Sequence, residues 1–505
     1  MNENIFRPED FGAVADGVNN DANAFWTALD AAKNGGTVVL EDGKSYYIAP
    51  YGDAEIAEFK ASAFLSKEKG LNHPAAIDLN GAKNLTIKGN NSTILLERPL
   101  FYCNINFTEN VTIDGINFDY RTRPFAGATL VELDEKNHTA IMKTDRSLCI
   151  SKEENVYGFG VLQRPDGRYH MFMKTIAPVD VDNNIYSIVF SSDESTTKRL
   201  KMLYDHVLIT PLPNFAHRIE RAFSITNNKN FTMRNCNIYS MARFGFALFC
   251  NDGVVRFENV NVKKAPDETI NIVGWRDCFH VKENHAKYIW DNCYAEYCYD
   301  DIFNISASTL NVKEVISESE LDLEWKETKG VYPAVRVGDT VSFIDLDTGI
   351  DYGESVISEV VKREGSHNHF KFATPIKGIK SGDNIKAHVL DMVSPNSEIK
   401  NCDFRGTFRF RGPIDISDTH FYVARFWLDM FMPYEGPVPK HIHFTDCDFV
   451  CDDVVNPYFH VIAQKNSVSG EPQYHLDDIV FENCKLPRDT FEINESDKPY
   501  VIFKN

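Results

Sequence analysis

The chain has 505 residues, with 73 acids against 53 bases and a formal net charge of -20. An excess of that sign and size repels phosphate backbones, which excludes nucleic acid as the natural partner; it also disfavours polyanionic substrates and suits a neutral sugar. At 43% hydrophobic and 25% charged residues the sequence is globular, and no apolar run reaches the length of a membrane-spanning helix.

Met1-Asn2-Glu3-Asn4 shows neither a basic stretch nor an apolar core. The sequence as it stands therefore reads as cytoplasmic, or as periplasmic or secreted if a leader has been removed. Residues 10–17 form a turn-rich strand. Asn20-Asp21 is placed to cap a helix over 22–33, Gly35-Gly36 ends it, and 37–40 is again a strand. Such a block covers the end of a solenoid, whose open edge otherwise pairs with other chains. It resembles the N-terminal cap of pectate-lyase-like β-helix proteins.

A short unit then recurs. It reads Asn84-Leu-Thr-Ile-Lys-Gly89 and Asn110-Val-Thr-Ile-Asp-Gly115, and returns as 231–236, 255–260 and 288–293, then as 397–402, 442–447 and 479–484. The step from Gly89 to Gly115 is 26 residues and that from Cys236 to Val260 is 24. Each unit alternates apolar and polar residues, as a strand with one buried face does, and closes on a turn-prone Asn, Asp or Gly. Steps of this size suit one coil of a right-handed parallel β-helix, an all-β fold whose coils stack about 4.8 Å apart so that equivalent residues form ladders. Cys236, Cys293, Cys402, Cys447 and Cys484 share one repeat position. A ladder of small buried thiols accounts for them better than a metal or disulfide role.

Two stretches break the repeat. Both carry hairpin signals, such as the run from Thr129 to Met142 and the turn-flanked strand Val337-Gly-Asp-Thr-Val-Ser-Phe343. The expected division is a cap with the first coils (1–120), an inserted antiparallel barrel-like domain (121–215) and coils carrying an acidic site (216–310). A second barrel-like insertion (311–392) and C-terminal coils (393–505) follow.

The acidic site is Gly274-Trp-Arg-Asp-Cys-Phe-His280 followed by Tyr299-Asp-Asp-Ile-Phe-Asn304. Asp300 and Asp301 come 23 and 24 residues after Asp277, which is one coil. Three carboxylates then share one patch of wall. Crowding them raises their pKa values, a cost that makes sense where one must stay protonated while others ionise. Inverting glycosidases need that split, with an acid for the leaving oxygen and a base for water on the opposite face. Adjacent Asp300 and Asp301 point to opposite faces of a regular strand, and Asp277 and His280 differ in parity too, so a bend or bulge is expected there. Asp-Asp pairs also occur at Asp452-Asp453 and Asp477-Asp478; the coil-matched third aspartate sets Asp300-Asp301 apart.

The pattern Asp-x-x-His, then Asp-Asp-x-x-Asn one coil on, resembles glycoside hydrolase family 110, inverting exo-acting α-galactosidases best known for α-1,3-linked galactose. Two barrel insertions in a β-helix, Phe408-Arg-Phe-Arg-Gly412, and Trp427 with Tyr434-Glu-Gly-Pro-Val438 are similar to that family as well. The resemblance implies Asp300 as general acid, with Asp277 and Asp301 activating water. It makes His280, Asn304, Arg409, Arg411, Trp427 and Glu435 candidate sugar contacts, with a glycan as substrate, no cofactor and no metal; Trp275, close to Asp277 in sequence, is a further candidate. Homodimers formed through the inserted domains are compatible with this architecture.

Competing readings are a polygalacturonase-like or other β-helix glycosidase and a non-catalytic carbohydrate-binding β-helix. Polygalacturonases share the aspartate pattern, but their Gly-His-Gly and Arg-x-Lys signatures are not evident. A pure binder has no need of crowded carboxylates, and a lyase wants a calcium site and a basic proton abstractor that the sequence does not offer. Cys278, His280, Cys293 and Cys298 lack paired zinc-ligand spacing. Arg409 and Arg411, one strand period apart, read equally well as solvated charges.

Overall fold

Alternating burial builds the molecule. In Leu85–Leu96, Glu109–Tyr120, Lys229–Ile238 and Asp252–Val262 every second side chain is buried over most of the strand. These strands pair in parallel, Val111 with Phe231 and Phe231 with Val255. The computed structural model describes residues 4–49, 75–97, 101–148, 150, 156–164, 167–204, 208–211, 221–325, 335–430, 434–451, 458–463, 473–487 and 491–505; the Asp452-Asp453 pair lies outside them. Among the described residues 27 strands join into one coiled sheet, a parallel β-helix. No helix among them is long and apolar enough to cross a membrane.

The repeated turn residue has a conformational cause. Asn84, Asn110, Asn235, Asn259, Asn292, Asn401, Asp446 and Asn483 all adopt φ between 50° and 56°. Asn and Asp enter this left-handed region at lower cost than other side chains.

Inside the coil, position by position, side chains stack. Phe223, Phe246, Phe279 and Phe303 lie with ring centroids 4.4, 5.0 and 5.0 Å apart. The thiols do form a ladder: Cys293, Cys402, Cys447 and Cys484 each donate weakly to a backbone carbonyl of the preceding coil, at 3.4 to 3.8 Å. The ten described cysteines are free. A second ladder escaped the sequence reading. Asn251 Oδ1 accepts from Asn228 N at 2.9 Å and Asn284 Oδ1 from Asn251 N at 2.8 Å, while their Nδ2 atoms donate to the carbonyls of Ile225 and Leu248. All three asparagines are fully buried. Asn251→Ala strands those backbone groups and is expected to lower stability by about 1–3 kcal/mol, read as the shift of a urea unfolding curve.

At the N-terminus the helix runs Ala22–Ala32, but Asp21 does not cap it. Its buried carboxylate turns back to accept from the backbone N–H of Val14 (2.7 Å) and Ala15 (3.2 Å), two donors that otherwise go unmet.

The two interruptions are closed six-stranded antiparallel barrels, one built from strands between Phe125 and Pro211, the other between Leu310 and Val389. After the second barrel the coil resumes in register, Asn304 beside Arg409.

Candidate active site

The site is a ladder on the outer wall. Ala247, His280, Asn304, Arg409, Trp427 and His460 are register partners on successive coils. Their inward neighbours Phe246, Phe279, Phe303, Phe408 and Phe426 fill the core, so burial of the aromatic row fixes which way the polar row faces.

The expected bulge is present. Asp301 pairs with Thr407 and Phe303 with Phe408, leaving Ile302 as the extra residue. Ile302 and Phe303 both turn into the core, so Asp301 and Asn304 can share the outer face although three positions apart. Gly406 makes room on the next coil, because a Cβ there would lie 2.8 Å from Ile302 Cγ1. Cys278 and Phe279 turn inward together in the same way, which puts Asp277 beside His280, Oδ2 to Nδ1 at 2.5 Å. This also separates Cys278, Cys293 and Cys298, in the core, from His280 outside it, so the four residues weighed as zinc ligands do not converge.

Asp277, Asp300 and Asp301 present oxygens that all lie within 4.8 Å of one another. Burial alone would raise Asp277, but the adjacent His280 outweighs it and holds this carboxyl below its ordinary value. Burial, with the charge of Asp277, pushes Asp300 up to about 6 against the pull of Arg276, whose Nη1 reaches Asp300 at 2.9 Å. Burial pushes Asp301 well above the usual carboxylate range; Arg409 at 3.7 Å offsets part of this. The cluster therefore favours ionisation of Asp277 and proton retention on Asp300 and Asp301. Such a trio has the donor set for a divalent cation. Arg276 and Arg409 already bring positive charge to Asp300 and Asp301, and His280 hydrogen-bonds Asp277.

Arg409 gives its closest contact to Glu435, which also accepts from Lys282 (2.7 Å) and Asn304 Nδ2 (3.2 Å). Burial would raise Glu435, but Lys282 and Arg409 hold it far below the usual range. The Arg409 guanidinium lies over the Trp427 ring, 4.4 Å from its centroid. Glu435 reaches the site because Glu435–Gly436 pairs antiparallel with Ala307–Ser308.

Structure thus brings Asp277, His280, Asp300, Asp301, Asn304, Arg409, Trp427 and Glu435 together. Arg409 and Arg411 are not solvated: both are buried, and Arg411 pairs with Asp429 at 3.3 Å. Two positively charged groups inside a wall persist only where carboxylates meet them. Trp275 instead packs on the cluster of Phe125, Val161, Ile272 and Tyr299, where the first barrel meets the coil. Sequence reasoning missed Lys282, Asp429 and His460. Lys282 and Asp429 stand two residues after His280 and Trp427, hence on the same face, and that parity was the available signal.

Fold and wall together define a parallel β-helix protein with a carboxylate cluster at a bulged rung. No protein-family profile matches the chain. It is 24% identical over 309 residues to the alpha-1,3-galactosidase A of Akkermansia muciniphila, covering 56% of this chain and 49% of that protein. It is 22% identical over 300 residues to the alpha-1,3-galactosidase A of Bacteroides thetaiotaomicron, covering 56% and 50%. The chain thus spans about half the length of these curated relatives. Among solved structures, the family 28 exopolygalacturonase of Yersinia enterocolitica aligns over 100% of this chain and 68% of its own, with 11% identity and a TM-score of 0.39.

Proposed function

We propose that the chain is a glycoside hydrolase that releases terminal α-1,3-linked galactose from glycans with inversion, without a metal. The observation that carries it is the convergence of three carboxylates within 4.8 Å on an outer face, in surroundings that lower one and raise the other two. Similarity to proteins named as α-1,3-galactosidases supports the substrate. In this reading Asp300 donates its proton to the glycosidic oxygen as the C1–O bond breaks. Water attacks C1 from the opposite face and gives its proton to ionised Asp277, while Asp301 orients that water. Asn304, Arg409 and Glu435 hold the sugar's hydroxyls, and Trp427 offers an apolar surface at the edge.

The close spacing constrains the water. Inverting pairs ordinarily stand about 6.5–9.5 Å apart with the water between them. In this reading the attacking water takes a place at the edge of the trio, within reach of Asp277 and Asp301 together. Proton NMR of the first-formed galactose tests this: β-galactose is expected, and α-galactose appearing first would overturn inversion. Release from α-1,3-galactosides and not from β-galactosides is expected across a substrate panel; no release from any galactoside would overturn the assignment. Activity is expected to survive EDTA, and loss restored by calcium would sink metal independence.

A further inference from the structure

Glu435 sits on a short strap, and what holds the strap from behind is a side chain of the second barrel. Antiparallel pairing fixes only Glu435 and Gly436, with Thr309 N donating to Tyr434 O at 3.2 Å. On its other side Gly436 meets His388, on the barrel strand Gly382–Val389. A Cβ built on Gly436 would lie 2.2 Å from His388 Cδ2, 2.6 Å from Nε2 and 3.0 Å from Cγ. Gly436 is not among the residues of positive φ. Glycine is therefore needed here for space rather than for backbone freedom.

His388 is itself unusual. It is fully buried, and among the described residues neither ring nitrogen has a hydrogen-bond partner. A buried histidine normally satisfies at least one nitrogen. Burial, with the charges of Lys386, Arg411 and Lys440, pushes it down to about 3, so it is a neutral ring at any working pH. A neutral ring with unmet polar atoms, pressed against a glycine, contributes shape at that point rather than charge.

We propose that His388 is a positioning residue: its ring, packed on the Cα of Gly436, sets the depth of the strap and so delivers the Glu435 carboxylate to Lys282, Asn304 and Arg409. This deepens the galactosidase reading, because it assumes that Glu435 acts on the sugar. The second barrel then serves as the rear wall of the site.

The test is a pair of second-site variants in the full chain. Gly436→Ala forces the strap and the ring apart by about 1 Å, because a Cβ 2.2 Å from His388 Cδ2 must move out to ordinary contact near 3.4 Å. Lys282 and Arg409 stay within reach of Glu435, so the loss appears in binding: KM for an α-1,3-galactoside rises roughly tenfold with kcat within about threefold. Adding His388→Ala, or His388→Asn if the alanine variant folds poorly, removes the opposing atoms and returns KM to within about threefold of wild type. A general packing defect would lower the active fraction and kcat instead. Unchanged KM in Gly436→Ala, or a raised KM that the second change leaves in place, would overturn the proposal. The melting temperature gives a substrate-free readout: it falls in Gly436→Ala and recovers in the double variant. Recovery of melting in a protein that cleaves no galactoside would overturn the function while upholding the contact.

Discussion

Asp300→Asn is expected to cut kcat on an α-1,3-galactoside by roughly 10²–10⁴-fold while leaving the fold intact. The loss should nearly vanish on a dinitrophenyl galactoside, whose leaving oxygen departs without a proton. That contrast separates an acid from a residue that merely shapes the site. The pH profile follows from the same carboxyl. With Asp300 pushed up to about 6, wild-type kcat should fall as pH rises through that value and the acid loses its proton. Stability runs in the same direction. A carboxyl raised from 3.8 in the folded state binds its proton more tightly there, so folding is favoured as pH falls from about 6 toward 4 and is penalised above. Asparagine removes the penalty. The variant should therefore melt higher than wild type at pH 7 and lose that advantage at pH 4. The side chain is 34% exposed, so water screens the charge and the gain is about 1 kcal/mol or less. Asp300→Asn with full activity on natural glycans, or with a pH profile identical to wild type, would remove the acid from this position.

The second large effect is expected at Arg409. One buried guanidinium serves Glu435, Asp301 and the face of Trp427. Arg409→Met keeps the bulk and removes the charge, leaving the ionised, buried Glu435 with Lys282 as its remaining cation. Breaking a buried pair from one side costs about 3–5 kcal/mol, because the remaining charge stays buried. Urea unfolding should show that loss, and kcat/KM should fall by more than about a hundredfold. Arg409→Lys should not restore it, since a single ammonium lacks the fork that reaches two carboxylates at once. Arg409→Met combined with Glu435→Gln should be less destabilised than the sum of the single changes, because the neutral amide no longer needs a cation. Simple additivity would mean that the two residues do not act as a unit.

Much of this was legible in the sequence because a β-helix writes its contacts at a nearly fixed interval. The thiol ladder and the coil match of Asp277 to Asp300 and Asp301 could be read directly. Even the irregular corner followed from parity, since adjacent Asp300 and Asp301, like Asp277 and His280, cannot share a face of a regular strand. What stayed hidden has no such interval. Glu435 lies 153 residues from Lys282 and 131 from Asn304, and only the folded path of the second barrel brings it back. The interior asparagines did not stand out, because Asn has a local reason to occur at every corner. Asn284, which bonds Asn251 33 residues upstream, falls off the usual step, and a longer loop between them concealed the ladder. Trp275 stands apart: proximity in sequence to Asp277 suggested a sugar contact, and the fold adds a packing role against an apolar patch where the first barrel meets the coil.

The position of the second barrel has a consequence for how the chain folds. Asn304 and Arg409 must meet on neighbouring rungs, yet the whole barrel is threaded between them. Closing so long a segment as loose chain costs entropy before any contact rewards it. A barrel that closes on its own hairpins brings its two ends together first, and the stack behind it then sees a short link. Barrel stability and site assembly are in this sense one kinetic problem. A lesion deep in that barrel, far from any aspartate, should slow the joining of the two halves of the solenoid, and the empty seam would open at the rung where Arg409 belongs.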